Sequence, residues 1–157
     1  MSKTTSIILI IILGIIAGFL VYFFYPNQVD NKVKIYFSNN LEDPETFDCG
    51  KVYPVKRVIQ DELNIPFMTL GELLLGPSES EINQGYFTNI NHGVGVQELI
   101  VDEGIARVDF SEELTKDVSG SCIILGIESQ IKKTLLQFNH INDVIISING
   151  KVDVLQP

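Results

Sequence analysis

Few residues in this chain have the chemistry to act on a substrate, and their spacing does not gather them. There are two histidines, His92 and His140, and two cysteines, Cys49 and Cys122. Neither histidine belongs to an H-x-x-H or H-E-x-x-H arrangement, the spacings that place two ligands on one helical face around a metal ion. His92 lies in a glycine-rich stretch and His140 follows an apolar periodic segment, so both read as turn residues. Gly93-Val94-Gly95 begins like a dinucleotide-binding turn, but the third glycine and the strand-to-helix context are missing. No P-loop, G-x-S-x-G or EF-hand pattern is present. No cofactor and no metal are expected.

The cysteines admit two readings. A thiol paired with a histidine could serve as a nucleophile, and Cys122 stands where a helix N-terminus would lower its pKa. Alternatively, two cysteines on the oxidising side of a membrane pair with one another, which gives a Cys49–Cys122 disulfide. The disulfide is the expectation carried forward. The carboxylate pairs Asp102/Glu103 and Glu112/Glu113 are sequence neighbours, so on regular elements they diverge; they read as solvated charges at turns and helix starts. Asp109, beside Arg107 in an alternating segment, reads as a surface or cross-strand charge rather than a general base. The chain is therefore not expected to be an enzyme.

The elements that would position these residues follow an apolar N-terminal run. Ile7 to Tyr25 contains nineteen residues without a charge. As a helix it would be about 28 Å long, close to the hydrocarbon thickness of a bilayer. The run ends in Phe23, Phe24 and Tyr25, which suit a membrane–water interface and make a poor cleavage site. The expected organisation is a stub over 1–6, a transmembrane anchor over 7–25, a linker over 26–31 and one domain over 32–157. All twenty acidic residues and ten of the eleven basic ones follow the run, an excess of ten negative charges. Such a domain repels nucleic-acid phosphates and anionic lipid head groups, so its membrane attachment must come from the anchor. Lys3 on one side and Lys32 and Lys34 on the other nearly balance; the cysteines and the acidic domain favour a cytoplasmic N-terminus and an extracytoplasmic domain.

Within the domain, Val33, Ile35 and Phe37 alternate as on a strand. Val52 to Ile59 gives a second, in which Pro54 demands an edge or a bulge. Asn64 to Leu75 predicts a helix with Phe67, Leu70 and Leu74 at helical spacing, stopped by Gly76-Pro77. A loop follows over Pro77 to about Gly93. Strands over Val94–Val101 and Ile105–Phe110 precede a long helix, capped from Ser119-Gly120-Ser121, on which Ile124, Ile127, Ile131, Leu135 and Phe138 recur at steps of three and four. Glu128 and Lys132 pair on its wet side. Val144–Ile148, an Asn149-Gly150 turn and Val152–Leu155 close the domain as a hairpin. The order is ββαββαββ, an α+β domain with two helices packed on a small, largely antiparallel sheet.

Five stretches stand in order: Gly76-Pro77-Ser78-Glu79 through Glu81, Gly85-Tyr86-Phe87-Thr88, Ala106 to Ser111 after the Gly104 turn, the helix with Gln130-Ile131, Thr134-Leu135 and Gln137-Phe138, and the ending Val144 to Gly150. Together they resemble the GerMN domain family of sporulation and germination proteins. The resemblance spans about Val33 to Pro157. It implies a non-catalytic cell-envelope domain, tethered to the membrane, that scaffolds or binds during envelope assembly. Its partner would be an envelope protein or a cell-wall component. Pro77, Glu81, Tyr86, Phe87 and Thr88 mark a candidate recognition loop; the competing reading is that Gly76, Gly85 and Gly104 serve turns and that Tyr86 and Phe87 plug the core. The alternative function is a small extracytoplasmic hydrolase with an unrecognised site.

Overall fold

The computed structural model describes residues 11–19, 31–45, 48–60 and 63–152. Residues 11–19 are helical. Among the described residues no helix is long and apolar enough to cross a membrane. The 1–6 stub, the rest of the 7–25 run and nearly all of the linker lie outside the described residues; Asn31, assigned above to the linker, already belongs to the first strand.

The domain starts with β1 (Asn31–Asn39) and β2 (Tyr53–Ile59), followed by helices α1 (Ile65–Leu74) and α2 (Glu79–Ile82) and strand β3 (Tyr86–Phe87). Then come β4 (Val96–Asp102), β5 (Ile105–Phe110), a 3-10 turn (Glu112–Leu114), α3 (Ser121–Leu135), β6 (Asp143–Ile148) and β7 (Lys151–Val152). The strands form two small sheets, β2-β1-β3 and β4-β5-β6-β7, rather than the single sheet expected from the sequence. Pairing is antiparallel throughout, except that β5 and β6 run parallel. A parallel pair requires a crossover of a dozen residues or more, and the stretch containing α3 supplies it.

The core follows the alternation visible in the sequence. Val33, Ile35 and Phe37 are buried from β1, and Ala106, Val108 and Phe110 from β5. From α3 come Ile127, Ile131 and Leu135. Phe138 lies beyond the end of α3 and packs partly buried against the same core. Helices α1 and α3 pack on each other and on β1, and they also reach β4 and β6 respectively, so they join the two sheets. Pro54 stands on β2, an edge strand, where its missing N–H costs no ladder bond.

Helix α1 begins with Asn64 Oδ1 accepting from the Phe67 N–H and carries Pro66 in its first turn. Its buried side is Thr69, Leu70 and Leu73, with Leu74 packed partly buried against the core; of the expected Phe67/Leu70/Leu74 face it is Phe67, 37 % exposed, that turns outward. The long helix takes its N-cap from the expected Ser119-Gly120-Ser121 stretch, at Gly120 (φ 100°), with no side-chain bond closing the end. Glu128 and Lys132 do pair on α3. The Asn149-Gly150 turn has both residues at positive φ, 49° and 75°, the conformation that a two-residue hairpin of this twist requires. Of the expected strand Val152–Leu155 only Val152 is described.

Candidate functional site

The site is best built from the inner face of β2. Val55, Arg57 and Ile59 alternate onto that face, with Val55 and Ile59 buried. An arginine there must find acceptors for its donors, since a buried guanidinium without partners is costly. Arg57 finds four. Nη1 donates to the Glu72 carbonyl at 3.0 Å and to Glu72 Oε2 at 2.8 Å. Nη2 donates to the Gly76 carbonyl and to Glu81 Oε2, both at 2.8 Å. The guanidinium also lies over the Phe37 ring, 5.6 Å from its centroid. It thus ties the edge strand to the C-terminal carbonyls of α1, which carry partial negative charge, and to the turn beyond.

Gly76, at φ 78°, ends α1 and lets the chain reverse. Ser78 then opens α2 through a reciprocal capping box: its hydroxyl accepts from the Glu81 N–H, and Glu81 Oε2 accepts from the Ser78 N–H at 2.6 Å. One carboxylate therefore serves both the cap and Arg57. Burial alone would push the Glu81 carboxyl up, but Arg57 and the Ser78 N–H override it and hold it below the ordinary carboxylate range. Burial likewise disfavours charged Arg57, and Glu81 and Glu72 more than offset it, raising the guanidinium.

The rest of the expected recognition loop is equally tied down. What reads as an irregular loop over Pro77 to Gly93 contains α2 and β3. Tyr86 and Phe87 pair with Asn39 and Ser38 of β1, and Tyr86 packs against the core. Thr88 Oγ1 donates to Gln130 Oε1 at 2.8 Å and accepts from the Ile90 N–H; Gln130 is fully buried in α3. Asn89 donates to Ser38 Oγ at 3.1 Å and lies against Gly126 of α3, where a Cβ would overlap its amide. Pro77 is half-buried and Glu81 is engaged as described. Phe87 is the member of the set that lines an open space, a cavity of about 140 Å³ shared with Asp43, Asp48, Lys51 and the two cysteines. Those cysteines form a disulfide with a Cα–Cα distance of 5.0 Å, the pairing expected from their number.

With both sulfurs bonded, no described cysteine is free to pair with a histidine. The histidines stand apart. His92 lines an open cleft with Asn91, Glu113, Lys116 and Asp117, and His140 an apolar one with Leu99, Val101 and Phe138. Among the described residues no group of histidine, cysteine and carboxylate side chains could hold a metal ion. Asp109 is the cross-strand charge expected from the sequence, paired in register with Ser147 of β6. It accepts from Ser147 Oγ at 2.6 Å and from the Gly150 N–H at 2.9 Å, so it organises the closing turn.

Two roles were missed by sequence reasoning. Arg57 had a signal, a charge on the apolar face of an alternating strand. The other is the open edge of β1. Gln137 accepts from the Lys34 N–H and donates to the Lys34 carbonyl, each at 2.7 Å, and Thr134 Oγ1 accepts from the Tyr36 N–H at 3.1 Å. A side-chain amide thus takes the place of a neighbouring strand and covers an edge that could otherwise pair with another chain.

The sequence model of the Germane family, described as sporulation and spore germination, matches residues 21–154. No curated protein sequence matches the chain. The fold is similar to that of the first GerMN domain of the sporulation protein GerM from Bacillus subtilis, with a TM-score of 0.61 and 20 % identity over 77 % of this chain and 84 % of that one. It is also similar to the tandem GerMN domains of the same protein, with a TM-score of 0.61 and 22 % identity over 78 % of this chain and 40 % of that one.

Proposed function

We propose a function for this chain from one established premise: it belongs to the Germane family of sporulation and spore germination domains. The function is that of a non-catalytic cell-envelope module, held at the membrane by its N-terminal run and acting as a scaffold or binding domain in envelope assembly. In a spore-forming host that assembly is sporulation or germination. The observation that carries the reading is the family match over residues 21–154, which takes in the whole described domain.

Three further observations support it. The ion cluster at β2, Arg57 with Glu72 and Glu81, is spent on holding β2, α1 and α2 in place. The Cys49–Cys122 disulfide suits an oxidising compartment outside the cytoplasm. The helical residues 11–19 leave Ile11, Leu13, Ile15, Ile16 and Phe19 more than half exposed, a helix surface suited to lipid rather than water. The membrane, an envelope protein and a cell-wall component are the partners of this reading, and the Pro77–Gly93 segment, with Phe87 at its cavity, is its recognition surface. The domain lies outside the cytoplasm and the N-terminus inside.

Genetic complementation in the native host tests the proposal. Loss of the chain is expected to impair envelope assembly, or spore formation and germination where the host makes spores. The full chain should restore it, while a chain lacking residues 1–25 should not. Normal envelopes in the deletion strain, or full rescue by the truncated chain, would contradict the proposal.

A further inference from the structure

Two small sheets leave several strand edges, and a bare edge pairs with whatever extended chain it meets. Most edges of this domain are blunted. The open side of β1 is covered by Gln137 and Thr134. Strand β2 carries Pro54, which has no N–H to give, and Lys56. Strands β3 and β7 have two residues each. Strand β4 is different: it has seven residues, with neither proline nor lysine, and it pairs with β5 alone. A bulge between Val96 and Glu98 disturbs its start, so Glu98 to Asp102 is the regular stretch. Among the described residues no second strand lies along its other side.

The two faces of this stretch define what fits beside it. Leu99 and Val101 point inward, in register with Val108 and Ala106. Val101 is nonetheless 36 % exposed, because an apolar cleft of about 460 Å³ separates this face from Ile65 and Pro66 of α1 and from Phe138. Glu98, Ile100 and Asp102 point outward, and Ile100 is 48 % exposed. Glu98 stands directly opposite Asp109, two like charges in register, and Arg107 is the one base on that face of β4 and β5. A strand added at this edge would drop alternate side chains into the cleft. Its other side chains would stand beside Glu98 and Asp102, where cations are favoured.

We propose that β4 docks an extended segment of a partner protein along its free edge. The segment carries two basic residues four apart, opposite Glu98 and Asp102, and apolar residues between them, opposite Leu99 and Val101. Main-chain bonds supply the pairing, and the alternating side chains supply the selectivity. The excess of ten negative charges on the domain draws such a segment in. This chain cannot provide it: no two of its eleven basic residues stand four apart, so neither a second copy nor a terminal stretch has the pattern. The inference goes beyond the proposed function and does not rest on it, since the contact forms with a peptide in solution and needs no membrane.

Fluorescence anisotropy of a labelled peptide, Thr-Thr-Lys-Val-Thr-Val-Lys-Thr-Thr, titrated with the full chain in mild detergent, tests the docking. Saturable binding is expected with a dissociation constant below about 1 mM, the range of weak specific contacts. Glu98→Lys combined with Asp102→Lys turns two attractive cross-strand pairs into repulsive ones, and it should weaken binding by at least about fivefold. A peptide of the same composition with its lysines side by side should bind the unaltered chain at least about fivefold more weakly, since only one lysine can then face a carboxylate. On binding, amide exchange should slow in β4 and not in β2. Absence of saturable binding up to about 1 mM overturns the proposal. So does an affinity that changes less than about twofold for the rearranged peptide or for the doubly substituted chain, the behaviour of a basic peptide held by net charge alone.

Discussion

Replacing Arg57 is the sharpest perturbation of the architecture. Its side chain is 16 % exposed and Glu81 beside it 15 %, so Arg57→Ala strands a largely desolvated carboxylate together with two carbonyls that lose their donor. Breaking a buried pair costs about 3–5 kcal/mol, and losing a bond to a charged group about 1.5–3. Glu72 is 33 % exposed, so its share is discounted for solvent screening. The expected cost is about 2–4 kcal/mol, a large part of the roughly 5–15 kcal/mol that a domain has in total. Arg57→Lys should recover only part of it, since an ammonium cannot span four acceptors arranged around a planar fork.

Acid sharpens the test. Because Glu81 binds its proton less readily in the folded state, the stability it contributes is complete above the unfolded value of about 4.3 and is lost as pH falls through the lower folded value. Urea unfolding of wild type, Arg57→Ala, Glu81→Gln and the double variant at neutral and acid pH would measure both effects. The double variant should cost at least about 1 kcal/mol less than the sum of the singles, and Glu81→Gln should flatten the acid-side loss. An Arg57→Ala cost below about 1 kcal/mol, or additive singles, would refute the reasoning.

Two other substitutions probe separate joints of the domain. Replacing Cys49 and Cys122 by serine opens a loop with a sequence separation of 73, worth at most about 4.5 kcal/mol by chain entropy, and the thermal midpoint should fall with the domain still folded; an unchanged midpoint would count against the bond. Gly126→Ala should destabilise by about 1–2 kcal/mol, because Asn89 must move off the new methyl and leave Ser38. A gain in stability there would show that the Asn89 contact is not held.

How far this was legible in the sequence depends on what each residue needs. The alternation of Val33, Ile35 and Phe37, that of Ala106, Val108 and Phe110, and the stripe Ile127, Ile131 and Leu135 each state burial directly, and each is buried. Asn149-Gly150 states its own turn, and two cysteines state one bond. Strand direction is not written in periodicity, so the parallel pairing of β5 and β6 and the division into two sheets could not be read. The helix that Ser78 and Glu81 cap has four residues, too few to show a helical period, and the segment read as loop. Arg57 shows that a charge on an apolar face points to a partner without naming it: its acceptors lie 15 to 24 residues away. On α1, apolar residues surround the helix: Leu70 and Leu74 meet the core as periodicity predicts, while packing adds Thr69 and Leu73 and leaves Phe67 outside.

The claim that this is an envelope module tethered at its N-terminus is tested most directly by protease treatment of intact cells stripped of their outer layers. The chain should sediment with the membranes and resist a high-salt wash, and added protease should digest the domain while the N-terminal segment stays membrane-bound. A chain recovered in the soluble fraction, or a membrane-bound domain fully protected from protease, would contradict the account.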